Sequence, residues 1–281
     1  MKGRMITKET LEQFKQHLLE EEKSAATIEK YLRDATAFTA FVAECEVTKE
    51  LSIAYKQKLI EDGYAVRSIN SMLASINSLF SFLGWYDCKV KVIKLQRQIF
   101  CSEDKELTKA EYIRLINAAQ QKKNDRLNLI IQTICGTGIR VSELQFITVE
   151  AVKRGEATVN CKGKIRAVFI VKQLRKKLLQ YAKEKHITAG AIFVTRTGKS
   201  ISRTNIWREM KSLCEQANVN PNKVFPHNLR HLFARTFYGI EKDIAKLADI
   251  LGHSSINTTR IYIISTGDEH RKRMEHMRLV I

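Results

Sequence analysis

Only two prolines, Pro221 and Pro226, occur in 281 residues. Proline removes an amide donor and clashes with the preceding turn, so it breaks helix interiors. Its scarcity leaves this chain free to build long helices, and the apolar spacing uses that freedom. Leu11, Phe14 and Leu18 share one face after a capping Thr7. Ile28, Tyr31, Leu32, Ala35, Phe38 and Val42 form a stripe after Ser24, a second cap. A shorter helix is expected from about Leu51 to Ile60, ending before Asp62 and Gly63. The clearest period runs through Ile69, Met72, Leu73, Ile76, Leu79, Phe80 and Leu83, with Gly84 as its stop. Four amphipathic helices predict an N-terminal helical bundle with its own core over residues 1–88.

The helical period fails over residues 89–106, where Lys89 to Gln98 alternates basic and apolar side chains. A strand is one reading; an extended basic linker is the one adopted. Thr108 and Glu111 then form a capping-box pattern before Tyr112, Leu115 and Ile116, which marks a second domain over residues 107–281. The chain is long enough for two separate cores. This second domain is also mainly helical, with one exception. Ala157, Val159 and Cys161, then Ile165, Ala167, Phe169 and Val171, are apolar odd positions on either side of Lys162-Gly163-Lys164. That pattern predicts a β-hairpin with lysines at its tip. The expected fold class is therefore mostly α: an N-terminal bundle plus a mainly α domain with a small β-hairpin sheet. No internal repeat or low-complexity segment is evident.

Composition narrows the partners. Lys and Arg total 48 against 30 Asp and Glu, a net charge of +18. Such a surplus suits a polyanion, since each neutralised phosphate releases condensed counterions; the bland alternative is a solvated basic surface. The six cysteines (Cys45, Cys88, Cys101, Cys135, Cys161 and Cys214) form no C-x-x-C pair and no zinc spacing with histidine. They read as reduced, mostly buried thiols of a cytoplasmic protein. The N-terminus lacks the apolar run of a signal peptide, and no stretch approaches the apolar length of a membrane span.

The chemistry is concentrated in four stretches: Thr137-Gly138-Ile139-Arg140-Val141-Ser142-Glu143-Leu144, the hairpin lysines, His227-Asn228-Leu229-Arg230-His231, and Leu251-Gly252-His253 through to Tyr262. Cleaving a phosphodiester without a metal requires that two oxygens be neutralised, that a nucleophile lose a proton and that a leaving oxygen gain one. Arginine meets two phosphate oxygens with a planar fork and stays charged. Arg140 follows a glycine turn and opens a helical segment whose first amides are expected to face an anion. His227 and Arg230 share a helix face. His253 follows the expected helix Ile244–Leu251, and Tyr262 lies nine residues later, after a short helix capped by Ser254 or Ser255. A tyrosine hydroxyl is protonated at neutral pH, and guanidinium groups and a histidine base beside it favour its ionisation. Taken singly, each of these residues is an ordinary surface or core side chain; their order and spacing together carry the reading.

These stretches resemble the tyrosine recombinases, the phage-integrase family, and the 32-residue separation of Arg230 from Tyr262 fits as well. The resemblance is strong over the second domain; the first domain matches the family's core-binding bundle in length and pattern. It implies site-specific DNA recombination through a 3′-phosphotyrosyl intermediate, with no metal and no cofactor. Arg140 and Arg230 would clamp the scissile phosphate, His227 would assist proton transfer, His253 would donate to a non-bridging oxygen, and Tyr262 would attack. A hairpin lysine would protonate the leaving 5′ oxygen: Lys162 is favoured, with Lys164 open because the turn is short. Glu143 would support the arginines, and His231 would act from behind the reacting groups. The chain opens directly on the bundle, without an arm-binding domain, which suggests the Xer or transposon type. The implied partners are double-stranded DNA with short inverted core sites, a homo-tetramer on that DNA, and an accessory directionality factor, in a nucleoid-associated setting. A type IB topoisomerase and a non-catalytic DNA-binding relative are the rival readings. Met274, Met277 and Ile281 make an apolar stripe on a terminal helix, which the resemblance would seat on a neighbouring subunit.

Overall fold

A computed structural model describes residues 3–43, 45–94, 105–161, 164–195, 197–262 and 275–277. The chain divides into two compact units, Met1–Arg97 and Gln98–Ile281.

The first unit is built from α1 (Lys8–Glu20), α2 (Ala25–Val42), α3 (Lys49–Glu61) and α4 (Val66–Phe82). Thr7 caps α1 reciprocally with Thr10, and Thr48 caps α3 through the amide of Leu51. Ser24 precedes α2 but reaches the Thr27 hydroxyl at 2.8 Å instead of a helix amide. Phe38, Tyr55, Ile69, Leu73, Ile76 and Phe80 form one core cluster, and Phe14, Leu18, Ile28, Ala35 and Leu79 another. Each of the leucine, isoleucine and phenylalanine side chains contributes about 1.5–3 kcal/mol by leaving water.

The stretch Lys89–Lys94 carries neither helix nor strand, but it is not a free tether. Asn77 on α4 both donates to the Val90 carbonyl (2.9 Å) and accepts from its amide (3.0 Å). Seven residues earlier on the same face, Asn70 does the same for Ile93 at 2.9 and 2.8 Å. Two side-chain amides thus stand in for a neighbouring strand and fasten this segment along α4. Residues 95–104 lie outside the described residues.

The second unit contains α5 (Lys109–Gln121), α6 (Asp125–Thr137), α7 (Val149–Arg154), β1 (Glu156–Cys161), β2 (Lys164–Phe169), α8 (Lys172–Glu184), α9 (Arg203–Lys211), α10 (Cys214–Ala217), α11 (Pro226–Glu241), α12 (Ile244–Leu251) and α13 (Ile256–Arg260). The expected capping box at Thr108 and Glu111 is formed. Helix α6 is central: Leu127, Ile130, Ile131 and Ile134 are wholly buried in the largest core cluster, with Leu115 of α5, Leu178 of α8 and Leu229 of α11.

The sheet is one antiparallel pair, β1 with β2. Its register pairs Ala157 with Val168 and Val159 with Arg166, so odd positions of β1 share a face with even positions of β2. The inward row of β2 is therefore Arg166 and Val168, continued by Ile170, while Ile165 and Phe169 stand exposed. The alternation in the sequence points the other way, because the odd positions Ile165, Ala167 and Phe169 are all apolar while the even positions Lys164 and Arg166 are charged. Among the described thiols, Cys88 and Cys214 are buried, Cys135 is partly so and Cys45 is exposed. No helix among the described residues is long and apolar enough to cross a membrane.

Candidate active site

Two helix C-termini make the frame of the site. Helix α6 ends on Gly138 in the left-handed conformation (φ +65°). A Cβ there would stand 2.5 Å from the Phe233 ring, so glycine is required for both reasons. Helix α12 ends the same way on Gly252 (φ +63°). The last carbonyls of a helix lack an internal partner and carry the negative end of its dipole. Here three arginines take them. Arg230 donates to the Gly138 carbonyl and, at 2.7 Å, to that of Leu251. Arg166 donates to Ile250 (2.9 Å), and Arg140 reaches Gly252 (3.3 Å).

One carboxylate sits among them. Glu143 is 1% exposed. Its Oε1 accepts from Arg140 Nη1 at 2.8 Å. Its Oε2 accepts from Arg166 Nη2 at 2.6 Å and from the Arg140 backbone amide at 2.9 Å. Burial alone would raise the Glu143 carboxyl; the hydrogen bonds from Arg140 and the charges of Arg166 and Arg140 outweigh burial and hold it below the usual range. The Arg140 amide is thus itself taken by Glu143.

Arg230 is 1% exposed and heads the wholly buried side chains by size. With both terminal nitrogens engaged, its Nε–H is the donor left without a protein partner. Burial first, then the Arg140 charge, lowers its pKa to about 10, with Tyr262 acting in the opposite direction. Arg230 Nη2 also lies 3.0 Å from His253 Nε2. A guanidinium can only donate, so Nε2 accepts and the proton of the neutral ring resides on Nδ1, which donates to Thr259 Oγ1 at 2.8 Å.

Tyr262 is 5% exposed. Its ring packs among three imidazoles, with centroids at 4.3 Å (His231), 5.3 Å (His253) and 5.5 Å (His227). Its hydroxyl lies 3.5 Å from His227 Nε2. His227 keeps a solvent-exposed edge, yet partial burial and the nearby charges of His231, Arg230 and Arg140 lower its pKa to about 4. Burial, followed by Arg230, Arg140 and Arg166, does the same to His253. Both rings are neutral at pH 7, so His227 can accept a proton. Behind the tyrosine, His231 Nδ1 stands 3.5 Å from Glu106.

The structure thus brings Arg140, His227, Arg230, His253 and Tyr262 into one cluster. Lys162 lies outside the described residues; the Lys164 backbone pairs with Cys161 at the end of the hairpin. Sequence reasoning missed Arg166, which reads there as one of two charges, with Lys164, on the even row of β2. It also missed Arg203, Thr204 and Trp207 of α9. These line a cleft of about 540 Å³ with Arg140, His227 and Arg230, and nothing in the spacing of α9 pointed there.

The profile of the phage integrase family matches residues 105–268, and that of its N-terminal SAM-like domain matches residues 11–86. The chain belongs to the phage integrase family. This recombinase is 30% identical to the tyrosine recombinase XerA of Pyrococcus furiosus, over 100% of its own length and 98% of that protein. It is 27% identical to the tyrosine recombinase XerD of Halalkalibacterium halodurans over 89% and 90%. Its activity is site-specific DNA recombination of the tyrosine type, and DNA is its partner; the topoisomerase and non-catalytic readings are not favoured. In fold, the recombinase resembles the crystal structure of XerA recombinase (TM-score 0.55, 24% identity, 97% and 99% coverage). It also resembles a lambda integrase dimer bound to a COC′ core site (0.75, 16%, 92% and 95%).

Proposed function

We propose that Tyr262 is the nucleophile of this recombinase and that Arg140, Arg230, His227 and His253 serve it within one chain. The observation that carries the reading is the position of the Tyr262 hydroxyl, 3.5 Å from a neutral His227 Nε2. The Tyr262 oxygen attacks phosphorus, its proton passes to His227 Nε2, and the bond from phosphorus to the 5′ oxygen breaks. The products are a 3′-phosphotyrosyl link and a 5′-hydroxyl, whose proton comes from Lys162, or from Lys164 as the alternative donor. Charge on the non-bridging oxygens is met by Arg140 and by the unpartnered Nε–H of Arg230. His253 donates to a non-bridging oxygen only once protonated, because its Nε2 accepts from Arg230 in the free protein; an arriving phosphate supplies the charge that favours this.

The substrate is double-stranded DNA with short inverted core sites. The active assembly is a homo-tetramer, joined through the C-terminal tail, with an accessory directionality factor and a nucleoid-associated location. Support comes from related proteins: one lambda integrase structure is a tetramer on a Holliday junction, and another is a dimer on a core site. Of the expected apolar stripe on the tail only Met277 is described, and it is exposed. The decisive experiment incubates wild type and Tyr262→Phe with a nicked site whose cleaved strand diffuses away. Wild type should accumulate a covalent adduct on a denaturing gel. The phenylalanine variant should bind the DNA equally well and form none; an adduct from it sinks the assignment.

A further inference from the structure

Arg166 has no place in the reaction as written, yet three parts of the site converge on it. It shares Glu143 with Arg140, at 2.6 and 2.8 Å. It holds the Ile250 carbonyl at the end of α12. It also runs across Gly252, where a Cβ would stand 2.3 Å from Arg166 Cδ and 2.8 Å from its Nε. The residue before His253 is therefore shaped to let this side chain pass.

The charges give that placement a meaning. Glu143 is the carboxylate that Arg140 contacts, and a buried carboxylate shared with nothing else would neutralise the cation meant for phosphate. With Arg166 on its second oxygen, the trio of Arg140, Glu143 and Arg166 carries one net positive charge. Without Arg166 it carries none. Lysine cannot copy the full arrangement, because a single ammonium does not span Glu143 and Ile250 as a planar fork does.

We propose that Arg166 is a positioning residue that balances Glu143, so that the charge and orientation of Arg140 remain available to the scissile phosphate. This rests on the assignment of Arg140 as a phosphate clamp made above, and the test keeps the two apart. Arg166→Gln removes the charge, Arg166→Lys retains it, and Arg166→Gln with Glu143→Gln removes both members of the balance. Covalent adduct formation is measured on an ordinary site and on one carrying an uncharged methylphosphonate at the scissile position. The ratio of the two rates is independent of the folded fraction. We expect Arg166→Gln to cleave the ordinary site about 10- to 100-fold more slowly, by analogy with the outer partners of metal ligands. Arg166→Lys and the double variant should recover much of that loss, and the methylphosphonate site should show a smaller defect. A double variant as slow as Arg166→Gln, or an equal defect on both sites, overturns the proposal when Arg140→Ala is itself relieved by methylphosphonate. If Arg140→Ala is not relieved either, the clamp assignment fails, and this proposal with it.

Discussion

Arg140 and Arg230 face the same phosphate, but their settings differ enough that alanine should separate their roles. Arg230 is buried and supplies donors to the carbonyls of Gly138 and Leu251, both on buried residues. A buried acceptor deprived of its donor costs about 1–3 kcal/mol, so Arg230→Ala should lose about 2–6 kcal/mol of stability. At about 2–4 °C per kcal/mol for a domain of this size, the melting midpoint should fall by roughly 5–20 °C. Arg140 has a side chain 36% exposed. If it is removed, Glu143 Oε2 keeps Arg166 and the backbone amide at position 140, while the buried Oε1 loses the donor it has in Arg140. Arg140→Ala, with one such acceptor against two, should cost about 1–3 kcal/mol. Both variants should still slow cleavage, on the order of 100- to 1000-fold, as expected for a lost donor to a developing charge. Thermal unfolding, paired with adduct formation on a nicked site, reads both quantities from one preparation. An Arg230→Ala protein that melts with wild type, or an Arg140→Ala protein that falls as far, would refute the division of labour.

Cleavage should proceed undiminished in EDTA and without ATP, because two guanidinium groups supply the charge at the phosphate and the phosphotyrosyl bond conserves the energy of the broken one; a strict magnesium requirement in the gel assay contradicts this. His227 and His253 have folded pKa values of about 4, below the ordinary 6.5 or so of the unfolded chain. Their contribution to stability is therefore complete above about pH 6.5 and lost as pH falls towards 4, so urea midpoints should drop over that window and His253→Gln should flatten the drop. Gly252→Ala places a Cβ into Arg166 at a positive φ, and should cost at least about 1 kcal/mol together with a loss of cleavage; a variant with wild-type rates would show that Arg166 can move without consequence.

Much of this site was legible because its residues are tied to helix boundaries, which leave marks in sequence. Gly138 and Gly252 end helices, and Arg140 and His253 follow them at once. The helix Ile244–Leu251 was expected with the bounds it has. What was hidden depends on long-range pairing. Which row of β2 faces inward follows from its register with β1, and that register turned Arg166 from an ordinary hairpin charge into a member of the cluster. The fastening of Lys89–Lys94 depends on Asn70 and Asn77, polar residues on a helix whose visible signal was its apolar stripe. Arg203 and Trp207 reach the cleft through packing of α9 that no local spacing encodes.

The arrangement also explains why the catalytic bases are histidines left neutral by their surroundings. Arg140 and Arg166 share one buried carboxylate and Arg230 has none, so the cluster is cationic before any substrate arrives. Three like charges at such range repel, and water is largely excluded from Arg230. The compensation comes from the carbonyls of Gly138, Ile250, Leu251 and Gly252, at the negative ends of α6 and α12. Carbonyl dipoles hold a guanidinium without cancelling its charge, as a second carboxylate would. The residual positive field keeps His227 and His253 unprotonated, and the same field is what a phosphodiester neutralises on binding. Substrate binding should therefore raise the proton affinity of both rings, readying His227 to take the Tyr262 proton and His253 to donate. The free protein holds the base in its accepting form, and the DNA itself supplies the charge that lets the proton move.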